Sequence, residues 1–313
     1  MPTRNQLLAL NDELRRLKAG GQRAVYVTED GLTQLREAVT ATQGQPGDEI
    51  DRAVLPAAVV SIAESRPKER PVAPIISAIP ATPEIKLPEG DKQTRWNFLR
   101  DLVLNDEVCR ARVYPGKRIV FGVGNLDANI MFVGEAPGGE EEEQGEPFVG
   151  RAGQLLNRMI KAMGLERSQV YIGNILNWRP EMPRNADGSQ SGNRPPTGAE
   201  MVYCLPFIRA QIAIIQPQVL VALGKTAVDG LLGADRFKSM GAARGTWHTY
   251  AATPLRASYH PSYLLRQEGL TSPAAKKIKR DAWEDLLAVM ERAKIPISEK
   301  QRKYFLNAGQ QPP

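Results

Sequence analysis

The sequence predicts an α/β fold: a three-layer α/β/α sandwich around a mostly parallel central sheet, with a small N-terminal appendage. Two observations carry this. From Lys92 onward, short apolar runs alternate with amphipathic helical stretches, the signature of strand–helix–strand units. Ahead of that, residues 43 to 90 hold eight of the 24 prolines and little periodicity, which separates the first residues from the rest as a linker does.

Residues 3–18 have Leu7, Leu8, Leu10, Leu14 and Leu17 at helical spacing. RAVYVTEDGLTQLREAV follows as a short strand, a turn at Asp30-Gly31 and a second helix. The expected organisation is therefore an N-terminal module at 1–42, a linker at 43–91, a main domain at 92–295 and a tail at 296–313. In the main domain TRWNFLRDLVLNDEVCRARV reads as helical. The expected strands are Arg118–Phe121, Ile130–Val133, Val170–Ile172, Val219–Leu223 and Leu255–Tyr259. The expected helices are Ala152–Met163, Thr197–Ile215, Thr226–Leu232 and Ala274–Ala293.

Composition narrows the function. No stretch approaches the ~20 apolar residues of a membrane span, and the N-terminus carries too many acids for a secretory signal. The expectation is a cytoplasmic, nucleoid-associated monomer without a membrane partner. Two cysteines, Cys109 and Cys204, are too few for a disulfide framework or a four-cysteine metal site. Residues 1–90 hold 11 Lys/Arg against 12 Asp/Glu, so the chain's net charge of +6 leaves +7 for the remainder. A basic main domain suits a polyanion.

Ligands of parallel sheets bind beyond the carboxyl ends of the strands. The chemistry-bearing residues fall there: the loop GEAPG after the second strand, Asn174 after the third, Gly224 after the fourth and His260 after the fifth. No GxxxxGK[ST] loop is present, Gly122-Val123-Gly124-Asn125 is too short for a dinucleotide fingerprint, and neither His248 nor His260 has metal-ligand company. What remains is carboxylates, an aromatic, an Asn and a His. That set suits an extruded nucleobase: an aromatic stacks on the ring, an Asn amide supplies both donor and acceptor to its edge, a neutral His donates to a carbonyl oxygen, and a carboxylate orients water or stabilises charge developing on the sugar.

These residues sit in seven ordered motifs: VFGVGN, MFVGEAPGGEEEEQGEPFVGRAGQLL, VYIGNILNWRP, NRPPTGAEMVYCLPFI, PQVLVALGKTA, RGTWH and HPSYLLR. In order and spacing they resemble the uracil-DNA glycosylase superfamily, most closely its family-4 enzymes, over roughly residues 92–293. The resemblance implies a glycosylase that flips uracil out of DNA and leaves an abasic site. It gives Glu135 a catalytic place at the uracil or the water and Glu141, the favoured member of Glu140 to Glu143, one at the developing cation or the water, and gives His260 the departing uracil anion. Phe148 would stack on the base and Asn174 would read it, within a pocket that includes Ala136 and Gly138. Ser262 would meet phosphate, Leu264 with Tyr263 would wedge into the duplex, and Arg266, joined by Lys276, Lys277 and Arg280, would meet the backbone.

The resemblance also implies an iron–sulfur cluster on four cysteines. Here Cys204 matches the last ligand, Trp178 stands at another, and Cys109 is left of an expected pair, with Arg112 or a neighbour in place of its partner. The expectation is that the cluster is lost, that the Trp178 indole fills its space, and that no metal takes part. The rival reading is a uracil- or abasic-DNA-binding protein of the same fold with little turnover. Relatives that trap DNA covalently use a histidine in an insertion after the Asn motif, and this chain has none between Asn174 and Cys204. Residues 1–42 are a possible docking site for a protein partner.

Overall fold

The computed structural model describes residues 79–183, 190 and 192–306. The expected module at 1–42 and the linker up to residue 78 lie outside the described residues.

The helical stretch after residue 92 is two helices, α1 (Lys92–Asn105) and α2 (Glu107–Ala111). They break at Asp106, whose carboxylate accepts from the Cys109 backbone N–H and caps α2. Next come β1 (Val123–Gly124) and β2 (Ile130–Gly134). The glutamate run is itself a short helix, α3 (Gly139–Gln144), followed by α4 (Arg151–Ala162). A single 3₁₀ turn at Arg167–Gln169 leads into β3 (Tyr171–Asn174). Then follow α5 (Gly198–Ile215), β4 (Val219–Leu223) and α6 (Lys225–Leu232). The chain continues through α7 (Met240–Ala243), β5 (Trp247–Tyr250), β6 (Thr253–Ser258) and α8 (Pro261–Leu265). It ends with α9 (Pro273–Arg292) and α10 (Glu299–Arg302).

The six strands form one sheet in the order β1-β3-β2-β4-β6-β5. The four inner strands are parallel, and the two edges are antiparallel. Successive inner-strand residues face opposite layers. Met131 and Val133 join Leu220, Ala222, Leu255 and Ala257 beneath α1, α5 and α6. Ile130 and Phe132 join Ile172, Val219, Val221 and Leu223 beneath α4 and α9. That period-two division, with both faces apolar, is what a sheet covered by helices on each side requires.

Two strand expectations change. Arg118–Phe121 lies outside the sheet; its Val120 peptide bonds to the Asn177 carbonyl and side-chain amide instead. The sheet edge is made by Val123 and Gly124. At the other edge, Trp247–Tyr250 pairs antiparallel with β6, an element not expected from the sequence because its exposed–half-buried pattern lacks an apolar run. Helix α5 is also long and apolar enough to cross a membrane by length and composition, yet half of it is buried inside the protein.

Residues outside 92–295 also pack on the main domain. Ile79, Ile85 and Leu87 pack against the α1/α5 core. Residues of the tail pack on α9: Trp283 Nε1 donates to the Gln301 carbonyl at 2.6 Å and Arg280 to the carbonyls of Arg302 and Tyr304.

Candidate active site

The parallel register aligns the carboxyl ends of the inner strands, pairing Gly134 with Asn174 and Leu223 with Ser258. The chain runs from β2 to β3 on one side and then crosses to β4 on the other, so the crevice between β2 and β4 is the switch point where such sheets bind ligands. Glu135 leaves β2 at this crevice. Its Oε2 accepts a 2.6 Å hydrogen bond from Thr226 Oγ1 at the start of α6, and its carbonyl accepts from the Leu176 N–H. Thr226 was not singled out in the sequence, although it lies inside the GKTA motif.

Two side chains, those of Asn174 and Phe148, meet at Gly134, and His260 lies beside the Phe148 ring. A Cβ on Gly134 would overlap both Asn174 Oδ1 and the Phe148 ring, so only glycine permits the approach. The Phe148 ring centroid is 5.6 Å from that of His260, with the planes 32° apart. Asn174 is buried, and its Oδ1 has no hydrogen-bond partner among the described residues. A buried amide oxygen without a partner costs on the order of 1–3 kcal/mol, and a ligand donor would satisfy it. Phe148 itself has φ 54°, a left-handed conformation that non-glycine residues seldom adopt.

His260 caps α8. Its Nδ1 accepts from the Ser262 backbone N–H at 3.2 Å, and a backbone N–H can only donate. In the neutral ring the single proton therefore sits on Nε2, which leaves a donor free to face the site. Burial, reinforced by the charge of Arg266, pushes the His260 pKa down to about 4, so the ring is neutral at ordinary pH.

The four glutamates have separate duties. Glu141 Oε1 accepts from the N–H groups of Val149 and Gly150 at 3.0 and 2.9 Å, and Oε2 accepts from Gly138 at 3.1 Å. It thus clamps the start of α3 to the start of α4. Glu142 is buried in an ion pair with Arg179 at 2.9 Å. Arg179 in turn holds Asn193 and the Gly192 carbonyl, fastening that segment to the glutamate helix. Glu143 pairs with Lys117 at the surface, and Glu140 is exposed. The Glu135 carboxylate, by contrast, accepts a single side-chain hydrogen bond among the described residues, at Oε2. Ala136 is half-buried against the α1/α5 core, and Gly138 is the N-cap of α3.

The DNA-facing expectations divide. Ser262 Oγ lies 2.8 Å from His260 Nδ1 and donates its hydroxyl proton to the ring. Leu264 is buried and lines an apolar cleft of about 460 Å³ between α4 and α9, so it is not presented as a wedge. Its place one turn into α8 points it inward. Tyr263 is half-exposed, with the Tyr259 ring 5.1 Å and the Arg266 guanidinium 5.5 Å from its ring centroid.

At the site expected for a cluster, Cys109 and Cys204 are both free and buried. They hydrogen-bond to each other, which with burial pushes the Cys109 thiol well above its usual range and opposes the thiolate that metal binding needs. Trp178 is buried in the same cluster, 6.4 Å from the ring of Tyr203. Arg112 Nη1 is 4.0 Å from Glu200, which Arg194 also binds. Two thiols, an indole and a guanidinium do not fit a cubane that needs four thiolates. Among the described residues no group of three or more His, Cys, Asp or Glu is arranged to hold a metal.

The profile of the Uracil DNA glycosylase superfamily matches residues 121–287. The type-4 uracil-DNA glycosylase of Thermotoga maritima is 39% identical over 185 residues, which cover 58% of this chain and 84% of that protein. The corresponding proteins of Pyrobaculum aerophilum and Saccharolobus solfataricus are 33% and 38% identical, with 58% and 54% of this chain and 89% and 76% of theirs covered. This chain belongs to the uracil DNA glycosylase superfamily.

Proposed function

We propose that this protein is a DNA-repair uracil-DNA glycosylase: it flips uracil out of DNA and hydrolyses its N-glycosidic bond, releasing free uracil and an abasic site. The observation that carries the reading is the meeting of Asn174 Oδ1 and the Phe148 ring at Gly134, with neutral His260 beside that ring. Uracil N3–H meets the unpartnered Asn174 Oδ1, and the Phe148 face packs on the ring. Cytosine has no proton at N3 and leaves that oxygen unsatisfied.

As the bond from C1′ to N1 breaks, its electron pair goes to the base and charge builds on uracil O2. His260 Nε2–H donates there, preset by the hydrogen bonds at Nδ1. Water adds at C1′ on the side of Glu135, whose free carboxylate oxygen orients it and takes its proton. Thr226 keeps that carboxylate turned to the crevice. Glu141 acts through the loop it clamps, since its oxygens are committed to three backbone N–H groups. Tyr263, flanked by Arg266, takes the part of wedge beside the vacated stack in place of Leu264.

The reaction runs without an iron–sulfur cluster, and Trp178 with Tyr203 packs the space the cluster would take. The DNA is held by the basic main domain, in a monomer working in the cytoplasm at the nucleoid. Equimolar protein and a uracil-containing oligonucleotide, treated with alkali after a short incubation, test the activity. Strand cleavage at the uracil position is expected. A stable complex with no alkali-labile site points instead to a binding protein.

A further inference from the structure

Arg167 lies outside every role assigned so far. It occupies the 3₁₀ turn before β3, and its guanidinium reaches back to the loop that carries Phe148. Nη2 donates to the Pro147 carbonyl at 2.6 Å and to Glu146 Oε1 at 3.0 Å. Nη1 donates to the Phe148 carbonyl at 3.2 Å and to Asn157 Oδ1, on α4, at 3.0 Å. The fork thus grips two successive carbonyls of one loop and braces itself on the neighbouring helix.

Those carbonyls flank the backbone unit with the least comfortable geometry in the site. Phe148 holds φ 54°. A bulky residue released from that conformation relaxes to negative φ, which swings its side chain to another direction. Gly153 supplies the other half of the arrangement, because a Cβ there would overlap the Phe148 carbonyl. The bonds to Arg167 are fitted to the unusual conformation, since both carbonyls must turn toward one guanidinium. The planar fork does this where an ammonium point charge does not.

We infer that Arg167 is a positioning residue for base recognition: it holds Phe148 in its left-handed conformation so that the ring faces the extruded base. The inference rests on the base-binding role of Phe148 stated under Proposed function. Arg167 touches neither base nor sugar, and its effect passes through one ring. Misplacing a binding group by about 1 Å costs on the order of 10² in rate.

The test uses the full chain and single-turnover excision. Excision by the unaltered protein is measured first, and its absence defeats the proposed function irrespective of Arg167. In Arg167→Gln and Arg167→Lys the single-turnover rate is expected to fall about 10–100-fold, with the protein still fully folded at the assay temperature and its affinity for uracil-free DNA unchanged. Should Arg167→Gln fail to fold, Arg167→Lys, which keeps the stem and charge, decides the matter. In a Phe148→Ala background, Arg167→Lys is expected to have no further effect on rate, as two residues acting through one contact are non-additive. An unchanged rate in folded Arg167→Lys overturns the inference. So does a loss that is fully additive with Phe148→Ala, or one that tracks the folded fraction alone.

Discussion

Thr226 Oγ1 and Glu135 Oε2 are 2.6 Å apart, and their hydrogen bond joins the ends of β4 and β2 across the switch-point crevice. The hydroxyl can donate to only one acceptor, so it fixes which carboxylate oxygen stays available. Removing the hydroxyl while keeping the shape, as in Thr226→Val, is expected to lower the single-turnover rate about 10–100-fold, matching a hydrogen bond to a charged group of about 1.5–3 kcal/mol. Thr226→Ser should retain most of the rate. Equal rates for Thr226→Val and the unaltered protein would show that Glu135 needs no such support.

His260 predicts a pH dependence. Its folded pKa of about 4 lies below the ordinary value of 6.5, so the ring stays neutral through the range in which a solvated histidine titrates. Its contribution to stability is fully present above about pH 6.5 and is lost as pH falls toward 4, because only the unfolded chain takes up the proton in that window. Excision should be level from pH 8 to about 5 as far as this residue is concerned, with no inflection near 6.5. His260→Ala should reduce the single-turnover rate about 10²–10³-fold, the usual effect of losing one preorganised donor at an oxyanion, while affinity for uracil DNA falls less.

Gly134→Ala is expected to abolish base recognition in a folded protein. The added methyl overlaps Asn174 Oδ1 and the Phe148 ring together, and both have to move. Near-normal discrimination of uracil from cytosine in this variant would remove the convergence on which the site is built.

Metal analysis of purified protein should give iron well below one atom per chain. An intact cubane would bring about four. Cys204→Ser should leave excision unchanged, since the thiol is buried in the core against Cys109, away from the crevice residues.

Deleting residues 1–78 should leave excision intact, as every matched motif lies downstream. Extending the deletion through residue 90 removes Ile79, Ile85 and Leu87 from the core, at on the order of 1 kcal/mol for each half-buried side chain. The longer deletion should therefore melt at a lower temperature than the shorter one. Identical melting of the two would mean that these contacts add nothing.

Much of the architecture was legible in the sequence because the inner strands and covering helices carry strong local signals. Ile130–Val133 and Val219–Leu223 are apolar throughout since both sheet faces are buried, and Thr197 announces the start of α5 through its capping box. The family was also legible, as ordered motifs, with Glu135, Asn174 and His260 at strand ends and Phe148 in the loop after the glutamate run. Tertiary structure decided what depends on partners distant in the chain. Four adjacent glutamates look alike in sequence; Glu141 differs from Glu142 only because one meets backbone N–H groups from 138, 149 and 150 while the other meets Arg179. Leu264 reads as an exposed wedge until α4 and α9 are seen to enclose it. Thr226 and Arg167 act through contacts spanning 91 and up to 21 residues. Local propensity registers the neighbours of a residue along the chain, whereas a hydrogen bond is chosen by whichever donors and acceptors the folded sheet brings within about 3 Å.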